Sequence, residues 1–415
     1  MTHIPGPALE AVHDVLIVGG GLVGASLAIA LSRTGIDTAL VEATPPGVMP
    51  AVFDQRNLSL AEATVNALHA LGVLQHLRTA AGPIARIHIS RRGDFGRVVL
   101  DAADYGRRAF GQVVVARDFG EALEATLADL DGLTRYRPLR FIGMEDASGA
   151  GENQPRKVRL ADDGGERLIG ARLVVGADGT VSAVREGLGI ATERYDYAQT
   201  LLVARLGAER APDGTAWERL DDHGPTALLP RGDGYYGLVH GVARDEADKA
   251  LALDDVTFLA RVQRIFGWRA GRFVSIGPRS AYPLVRVLAQ RLIASRAVLV
   301  GNAAQTLHPI GAQGFNLGLR DALTLVECIE AGGGDPGSAT VLAEYARRRR
   351  EDRERTLAFS HGLALRTADA SSLASRMRSL GLLALDQADA LRSQLVGGAM
   401  GYRGDIPRLC RGEVA

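Results

Sequence analysis

The sequence predicts an α/β fold: a nucleotide domain with a parallel sheet, an inserted mixed or antiparallel β-sheet domain, and a helical C-terminal region. Two strand–glycine loop–helix patterns, at residues 15–34 and 297–331, lie near opposite ends of the 415-residue chain. Between them, short β-branched runs alternate with Pro and Gly, as in an antiparallel sheet. A chain of this length is expected to form two or three domains.

The first pattern is a βαβ unit of about 30 residues. Val15–Val18 predicts a buried strand, Leu22–Thr34 a helix and Thr38–Val41 a second strand. The 18 residues Val15–Ser32 carry no charge, which is the lower limit for a membrane span. However, a β-branched first part and an Ala/Leu-rich second part, separated by glycines, favour a buried strand, turn and helix.

The rest of the chain predicts further helices and short strands. Helices are expected at Leu60–Leu77, Phe119–Leu130 and Leu317–Ala331, and after about residue 340. Strands are expected at Ile87–Ser90, Val98–Leu100, Arg172–Gly176, Thr200–Leu206, Ala227–Leu229, Tyr235–Val242 and Ala297–Val300. The polar run Gly151–Asp163 predicts a hairpin or loop.

A mixed-charge run, Arg347–Arg350 followed by Glu351, Asp352 and Glu354, predicts a solvated helix face with i,i+4 ion pairs. The whole chain is neutral, with 48 basic and 48 acidic residues, which argues against a nucleic-acid partner held by a global positive field. Cys328 and Cys410 are the only cysteines, so a redox dithiol, an iron–sulfur cluster and a Cys-based zinc site are excluded. No secretory signal is expected, because acidic residues and no Lys or Arg precede the first apolar run.

The chain has 50 glycines, and several of them lie in three motifs. The first, Gly19–Gly24, has the form GxGxxG directly between a strand and a helix. Gly19 permits a tight turn, Gly21 lets backbone N–H groups approach a pyrophosphate, and Gly24 permits close helix–strand packing. Glu42 follows Gly24 by 18 residues, where a carboxylate can accept hydrogen bonds from a ribose. The motif therefore predicts a dinucleotide site, with FAD and NAD both open.

The second motif, Gly176–Arg185, again follows a strand. Asp178 and Gly179 can simply form a turn, and Ser182 can simply cap the next helix. The third motif, Gly301–Asp321, follows the strand at Ala297–Val300 and leads into a helix. In it, Gly301 lets the chain pass close to a ligand and Asn302 can bond a polyol. The stretch at 311–316 places backbone N–H groups at a helix start, where they stabilise negative charge.

Taken in this order, the three motifs resemble those of aromatic-ring hydroxylases of the para-hydroxybenzoate hydroxylase type, over nearly the whole chain. GNAAQTLHP with QGFNLG, FGWR at Phe266–Arg269 and RSAYPL at Arg279–Leu284 are similar to the ubiquinone-biosynthesis hydroxylases. Asn302 and Gln305 resemble the branch that hydroxylates polyprenyl 6-methoxyphenols at position 4, whereas the broader family usually has Asp and His there. Gly311-Ala312 stands where the family more often has Ala-Gly.

The resemblance implies a Rossmann-like FAD-binding domain at 1–80, 100–182 and 285–345, a β-sheet substrate domain at 81–99 and 183–284, and a C-terminal helical region at 346–415. It also implies that FAD is held by a set of loop residues. These are Gly19, Gly21, Gly24, Glu42, Arg56, Arg117, Asp178, Gly179, Gly301, Asn302, Gln313, Gly314, Phe315 and Asn316.

The implied activity is flavin-dependent hydroxylation of a 2-polyprenyl-6-methoxyphenol, para to its hydroxyl, in ubiquinone biosynthesis, with O2 and NAD(P)H or another electron donor. His308 and Pro309 are the candidate catalytic residues, and His223, Tyr236 and His240 are weaker candidates for contact with the phenol. No metal site is expected. The implied location is the cytoplasm, with peripheral contact at the inner membrane and membership of a pathway complex left open.

Three alternatives remain at this point. The enzyme could act at another ring position or on a soluble phenol. A flavin-dependent disulfide reductase or dehydrogenase is disfavoured, because the sequence has no CxxC and no second dinucleotide fingerprint. A flavin-binding subunit without catalysis is the third, since binding motifs do not prove turnover.

Overall fold

A parallel sheet forms the centre of the nucleotide domain in the computed structural model, which describes residues 8–51, 53–145, 154–222, 224–368, 379–381 and 388–412. Five parallel strands, in the order β19-β11-β1-β2-β8, carry antiparallel strands at one side. The strands of this sheet are β1 (Leu9–Val18), β2 (Thr38–Val41), β8 (Thr134–Tyr136), β9 (Arg140–Met144), β10 (Arg156–Asp162), β11 (Gly165–Gly176), β18 (Ile293–Ala294) and β19 (Ala297–Leu299). The α/β fold class predicted from the sequence is confirmed.

A nine-stranded sheet, here called the large sheet, forms the second layer, with the path order β20-β17-β12-β15-β14-β13-β5-β6 and β16 beside β12. Its strands are β5 (Arg86–Arg91), β6 (Arg97–Asp101), β12 (Thr192–Ala208), β13 (Thr215–Asp221), β14 (Gly224–Pro230), β15 (Tyr236–Ala243), β16 (Phe273–Ile276), β17 (Ser280–Ala289) and β20 (Gln305–Thr306). A small sheet between the two layers holds β3 (Asn57–Ala61), β4 (Gly82–Pro83) and β7 (Gly111–Val115). All pairings in the large sheet are antiparallel except that of β13 with β5.

Helices cover both sheets. They are α1 (Leu22–Ser32), α2 (Glu62–Ala70), α3 (Ala116–Ala128), α4 (Ala183–Gly187), α5 (Ala247–Leu251), α6 (Asp255–Phe266), α7 (Gln313–Gly332), α8 (Ala339–Ala368) and α9 (Asp389–Ala399). Residues 24–31 of α1 are all buried, as expected for a helix that is apolar on all sides. Its side chains pack with those of α3 and α7 on one face of the parallel sheet.

Some predicted elements need correction. The single helix predicted at Leu60–Leu77 is wrong: residues 60 and 61 end strand β3, which pairs with β7, and α2 ends before Gly72, whose φ of +73° breaks the helix. For Gly151–Asp163, predicted as a hairpin or loop, the hairpin alternative holds in the described part, because β10 pairs antiparallel with β9 and with β11; residues 151–153 lie outside the described residues. The division into domains stays a prediction; its boundary at 345/346 falls inside α8.

The prediction that the mixed-charge run on α8 forms a wholly solvated helix face is wrong. Arg349 is 0% exposed and Asp352 is 3% exposed, whereas Glu351 and its i,i+4 partner Arg355 are exposed. Arg349 and Asp352 face α7, where Asp352 accepts from Arg320 and Arg349 donates to Asp321. The charges on this helix therefore divide between a solvated face and a buried network.

Candidate functional site

The three glycine-containing motifs meet at one edge of the parallel sheet. β1, β11 and β19 are adjacent and parallel, and Val18, Gly176 and Leu299 lie in one row across them. Each motif begins at the end of its strand or within two residues of it, so all three loops leave the same carboxyl edge. β1 has β2 on one side and β11 on the other, which is the kind of switch point where open α/β sheets bind ligands.

Glycines in the first loop serve two purposes. A Cβ on Gly19, whose φ is +107°, would lie 2.6 Å from the Ala177 carbonyl oxygen, and a Cβ on Gly24 would lie 1.9 Å from that of Gly19. Packing within the protein therefore requires these two. Gly21 has an ordinary φ of −70° and caps α1 without a side-chain hydrogen bond. The first N–H groups of α1 are consequently left for an anion, which fits a pyrophosphate.

Glu42 is held beside this loop by backbone hydrogen bonds. Its carboxylate accepts from the N–H of Gly20 at 2.9 Å and from the N–H of Thr44 at 2.7 Å. Two carboxylate oxygens offer about four acceptor positions, so capacity remains for a ribose diol. The position at the end of β2 agrees with the role expected from the sequence.

The second loop is a capped turn. The Asp178 carboxylate accepts from the Ser182 hydroxyl at 2.5 Å and from the Val184 N–H at 3.0 Å, and the Ser182 hydroxyl caps α4. Burial raises the pKa of Asp178, against the lowering effect of these hydrogen bonds. Gly179 has a φ of +83°. Both simple structural roles considered for this motif are thus present, and contact of Asp178 and Gly179 with FAD stays a proposal.

Arg185, which sequence reasoning missed, joins the second loop to the third. Its buried guanidinium donates to the carbonyl oxygen of Thr180 at 2.9 Å and to that of Ala303 at 2.8 Å. The hydroxyls of Thr180 and Thr306 also lie 2.8 Å apart. An arginine that follows the serine cap within the motif GADGTVSAVR was the available signal.

Close packing also shapes the third loop. A Cβ on Gly301 would lie 2.9 Å from the Val23 side chain, and one on Gly318 would lie 2.7 Å from it. These glycines let α1, the third loop and α7 approach one another. Asn302 is exposed on this loop, at the position expected to contact the ribityl chain.

The segment before α7 has unusual backbone. Gly311 and Ala312 have φ values of +73° and +51°, so an alanine occupies the left-handed region that favours glycine. Buried Gln313 donates to the Gly311 carbonyl at 3.0 Å. Gly314 has open space where a side chain would be, and Phe315 packs edge to face on Phe119 with ring centroids 5.4 Å apart.

Asn316 connects this segment to the small sheet. Its Oδ1 accepts from the Ala61 N–H at 2.9 Å, while its Nδ2 donates to the carbonyls of Ser59 at 3.0 Å and Ala312 at 2.7 Å. The side chain is therefore fully engaged by the protein. A contact between residue 316 and the flavin would have to come from its backbone.

Arg56 and Arg117 are brought together by backbone hydrogen bonds. The N–H of Arg117 donates to the Asp54 carbonyl at 2.9 Å, and the N–H of Ala116 donates to the Arg56 carbonyl at 2.8 Å. The Arg56 guanidinium lies 4.6 Å from the ring centroid of Tyr282, and the Tyr282 hydroxyl donates to Asp54. Arg117 is exposed at the start of α3.

His308 is 2% exposed, and both of its ring nitrogens have neighbours. Nδ1 accepts from the Ile310 N–H at 3.1 Å, and Nε2 lies 3.4 Å from Oε1 of Gln199. Burial lowers the pKa of His308 to about 4. This arrangement favours a positioning role for His308 over proton transfer. Pro309 is exposed, and its carbonyl accepts from the Ala312 N–H at 2.8 Å.

Tyr236 and His240 face away from the motifs, which corrects their selection as substrate contacts. Both lie on the face of the large sheet that packs against α5 and α6. His240 bonds the Thr226 hydroxyl at 2.9 Å, and burial lowers its pKa to about 4. The cause is strand alternation, since residues 236, 238 and 240 point to one face together. His223 lies outside the described residues.

Comparison of sequences with known proteins identifies the family, and comparison of structures identifies a shared fold. A family model described as an FAD binding domain matches residues 12–360. The chain is 33% identical over 411 residues to ubiquinone hydroxylase UbiL of Rhodospirillum rubrum, covering 97% of this chain and 94% of that protein. It is 30% identical over 401 residues to 3-demethoxyubiquinol 3-hydroxylase of Escherichia coli, covering 94% and 98%. The solved structure of p-nitrophenol 4-monooxygenase PnpA from Pseudomonas putida matches in fold, with a TM-score of 0.79, 18% identity and coverage of 95% and 99%.

Proposed function

This chain belongs to the FAD-dependent monooxygenase family that includes the ubiquinone hydroxylases, and we propose that it hydroxylates 2-polyprenyl-6-methoxyphenol para to the ring hydroxyl. Membership rests on the match over residues 12–360 and on the relatives at 33% and 30% identity. The chain is thus a flavin-dependent aromatic hydroxylase that uses FAD, with NAD(P)H and O2 as co-substrates. The same relatives support a role in ubiquinone biosynthesis.

The observation that carries the proposal is the meeting of the three motifs at one sheet edge, with the large sheet opposite. We infer that the first N–H groups of α1 hold the pyrophosphate, that Glu42 holds the adenosine ribose and that Asn302 holds the ribityl chain. The flavin ring would lie against residues 311–316. Arg56 directly precedes β3, and Arg117 lies at the start of α3. These two arginines would approach the cofactor from the other side.

The cofactor, once bound and reduced, supplies an electrophilic oxygen derived from O2. Overall, the phenol, O2, NAD(P)H and one proton give the hydroxylated ring, water and NAD(P)+. The tasks left to the protein are to orient the ring, exclude water and favour the phenolate. An apolar wall that includes Val203, Ala227 and Val239 of the large sheet is suited to a prenylated aromatic ring.

The ring carbon that is hydroxylated is the most specific part of the proposal. Attack para to the hydroxyl is supported by Asn302 and Gln305, which resemble the 6-methoxyphenol branch. Gln305 is buried, donates to Asp321 at 2.6 Å and accepts from Arg353 at 2.9 Å. A second candidate, attack at another carbon of the same ring, is favoured by the likeness to 3-demethoxyubiquinol 3-hydroxylase.

A lipid substrate also raises the question of membrane contact. Within the described part of the chain, no helix is long and apolar enough to cross a bilayer. We propose that the enzyme works at the cytoplasmic side, touching the inner membrane or a pathway complex peripherally. Exposed Phe359 and Leu365 near the end of α8 are the apolar side chains to examine first.

Two experiments test this function. The purified protein should be yellow, bind FAD without a covalent bond and consume O2 in the presence of 2-prenyl-6-methoxyphenol and NAD(P)H. Cells that lack the gene should accumulate a polyprenyl methoxyphenol. Accumulation of a later precursor would select the second candidate, and a protein that takes up no FAD would overturn the assignment of the site.

A further inference from the structure

One carboxyl group faces the candidate site without a role so far, that of Glu218 in the middle of β13. Ala216, Glu218 and Leu220 point to the same face of the large sheet, here called the inner face, because side chains alternate along a strand. Trp217 and Arg219 point to the other face, where they meet Phe266 and the Ile265 carbonyl of α6. The alternation of side chains along β13 therefore places Glu218 on the inner face.

The neighbours of Glu218 along its strand show what the inner face meets. Leu220 packs with Ile310 of the third motif and Ala364 of α8. Ala216 packs with Val113 of the small sheet, whose neighbouring strand is held to α7 by Asn316. Successive residues on one face are about 7 Å apart. Glu218 thus lies between the segment that precedes α7 and the small sheet.

Space is left beside this face. The inner-face residues Ile87, Ile89, Leu229 and Val239 all keep accessible surface. Their neighbours on the outer face are buried, namely His88, Leu228, Leu238 and His240. Directly across from Glu218 on the adjacent strands are Ile89 and Ala227, so the carboxyl projects into an apolar surrounding.

No group of the protein satisfies the Glu218 carboxyl in the part of the chain that the structure describes. The side chain nevertheless keeps accessible surface, and burial raises its pKa to about 7. Titratable and charged groups on the surrounding elements are engaged with other partners: Arg91 with Asp94 and Asp222, His308 with Ile310, Tyr197 with His361, and Tyr282 with Asp54. A half-buried carboxylate on an apolar face keeps unused acceptor positions, which suit a ligand with a donor group.

We propose that the Glu218 carboxylate hydrogen-bonds the phenolic hydroxyl of the substrate and takes its proton as oxygen is transferred to the ring. In this step the phenol O–H bond breaks, a carboxyl O–H bond forms, and the electron pair of the O–H bond enters the ring. The greater electron density at the ortho and para carbons favours attack on an electrophilic oxygen. The proposal rests on the proposed function and makes Glu218 a catalytic residue.

The test compares Glu218→Gln with Asp221→Asn, a control carboxyl on the same strand whose partner is the exposed side chain of Arg92. Both are made in the full-length, FAD-loaded protein, and the flavin spectrum reports equilibrium binding of 2-prenyl-6-methoxyphenol and of its methyl ether. For Glu218→Gln we expect a roughly 10- to 100-fold loss of affinity for the phenol and little change for the ether. Turnover should fall roughly 100-fold. Asp221→Asn should change each quantity less than about twofold.

Wild-type protein provides a measurement that needs no variant. Its affinity for the phenol should fall as the pH drops through about 7, because protonation removes the carboxylate acceptor, and its affinity for the ether should stay level. Equal affinities of Glu218→Gln and wild type for the phenol, or a level pH profile, would overturn the role of Glu218. That result would leave the proposed function intact as long as wild type still hydroxylates the phenol, whereas a wild type without phenol-dependent O2 consumption would overturn both.

Discussion

The buried charges between α7 and α8 make a sharp prediction about stability. Asp352 accepts from Arg320 at 2.7 Å and from Arg349 at 2.6 Å, and Arg349 also donates to Asp321 at 2.7 Å. Asp352→Asn keeps the shape of the side chain but leaves Arg320 without its carboxylate. Breaking a buried ion pair from one side costs about 3–5 kcal/mol.

This cost converts into a change in melting temperature. An unfolding entropy of about 2.1 cal/mol/K per residue gives about 0.9 kcal/mol/K for 415 residues, so Asp352→Asn should lower Tm by about 3–6 °C. Differential scanning calorimetry of the FAD-loaded protein measures it. The adjacent residue supplies the control: Glu351→Gln breaks only an exposed pair with Arg355, worth about 0–1 kcal/mol, and should move Tm by about 1 °C or less.

Acid should remove the difference in Tm between wild type and Asp352→Asn. Burial alone would raise the pKa of Asp352, but Arg320 and Arg349 outweigh it and lower that pKa below its ordinary value. A lowered folded pKa means that this stabilisation is complete above the unfolded pKa, about 3.9, and is lost as pH falls through the folded value. Equal Tm shifts for Asp352→Asn and Glu351→Gln at neutral pH would refute the buried network.

Three further changes test other parts of the site. Gly21→Val should abolish FAD binding by blocking the pyrophosphate at the start of α1; a folded variant by circular dichroism that retains yellow flavin would show that the motif holds something else. Ala312→Gly should raise the free energy of unfolding by about 0.5–1 kcal/mol, and Tm by about 1 °C in calorimetry, because glycine tolerates the φ of +51°; a lower Tm would contradict this strain. His308 has a folded pKa of about 4 against about 6.5 unfolded, so its contribution is complete above about pH 6.5 and falls as the pH drops toward 4. The Tm of wild type should therefore fall more steeply over that range than the Tm of His308→Gln, and parallel slopes would count against a neutral buried imidazole.

The sequence was most informative where a local pattern fixes a local structure. Gly19, Gly21 and Gly24 follow a strand and precede a helix, so the turn and the exposed N–H groups follow from the order of residues alone. The proximity of the third motif to the first two is a tertiary fact, because it depends on β19 pairing with β11. The repeated strand–glycine loop–helix pattern predicted that both ends of the chain build one nucleotide domain, but not which strands pair.

Residue roles on the large sheet were harder to predict, for a geometric reason. Alternation shows that Tyr236 and His240 share a face, but not which face packs against helices. Arg185 resembles a surface residue in sequence, yet it binds two loops together in the interior. In sequence, Glu218 lies between Trp217 and Arg219, which suggests a polar strand. On one face of the strand its neighbours are Ala216 and Leu220, so a single acid lies among apolar positions.

The way the two sheets are threaded has a consequence for biosynthesis. β1 and β19 belong to one sheet although about 280 residues separate them, and the large sheet takes strands from residues 86–101, 192–289 and 305–306. The ribosome must therefore release residue 306 from its exit tunnel before the large sheet has all its strands, and residue 299 before the parallel sheet has all of its own. Until then the emerging chain exposes the edge of β11 where β19 will pair, which is a hazard for aggregation. We therefore expect a nascent chain of this architecture to aggregate less when synthesis is completed quickly or when a chaperone covers that edge.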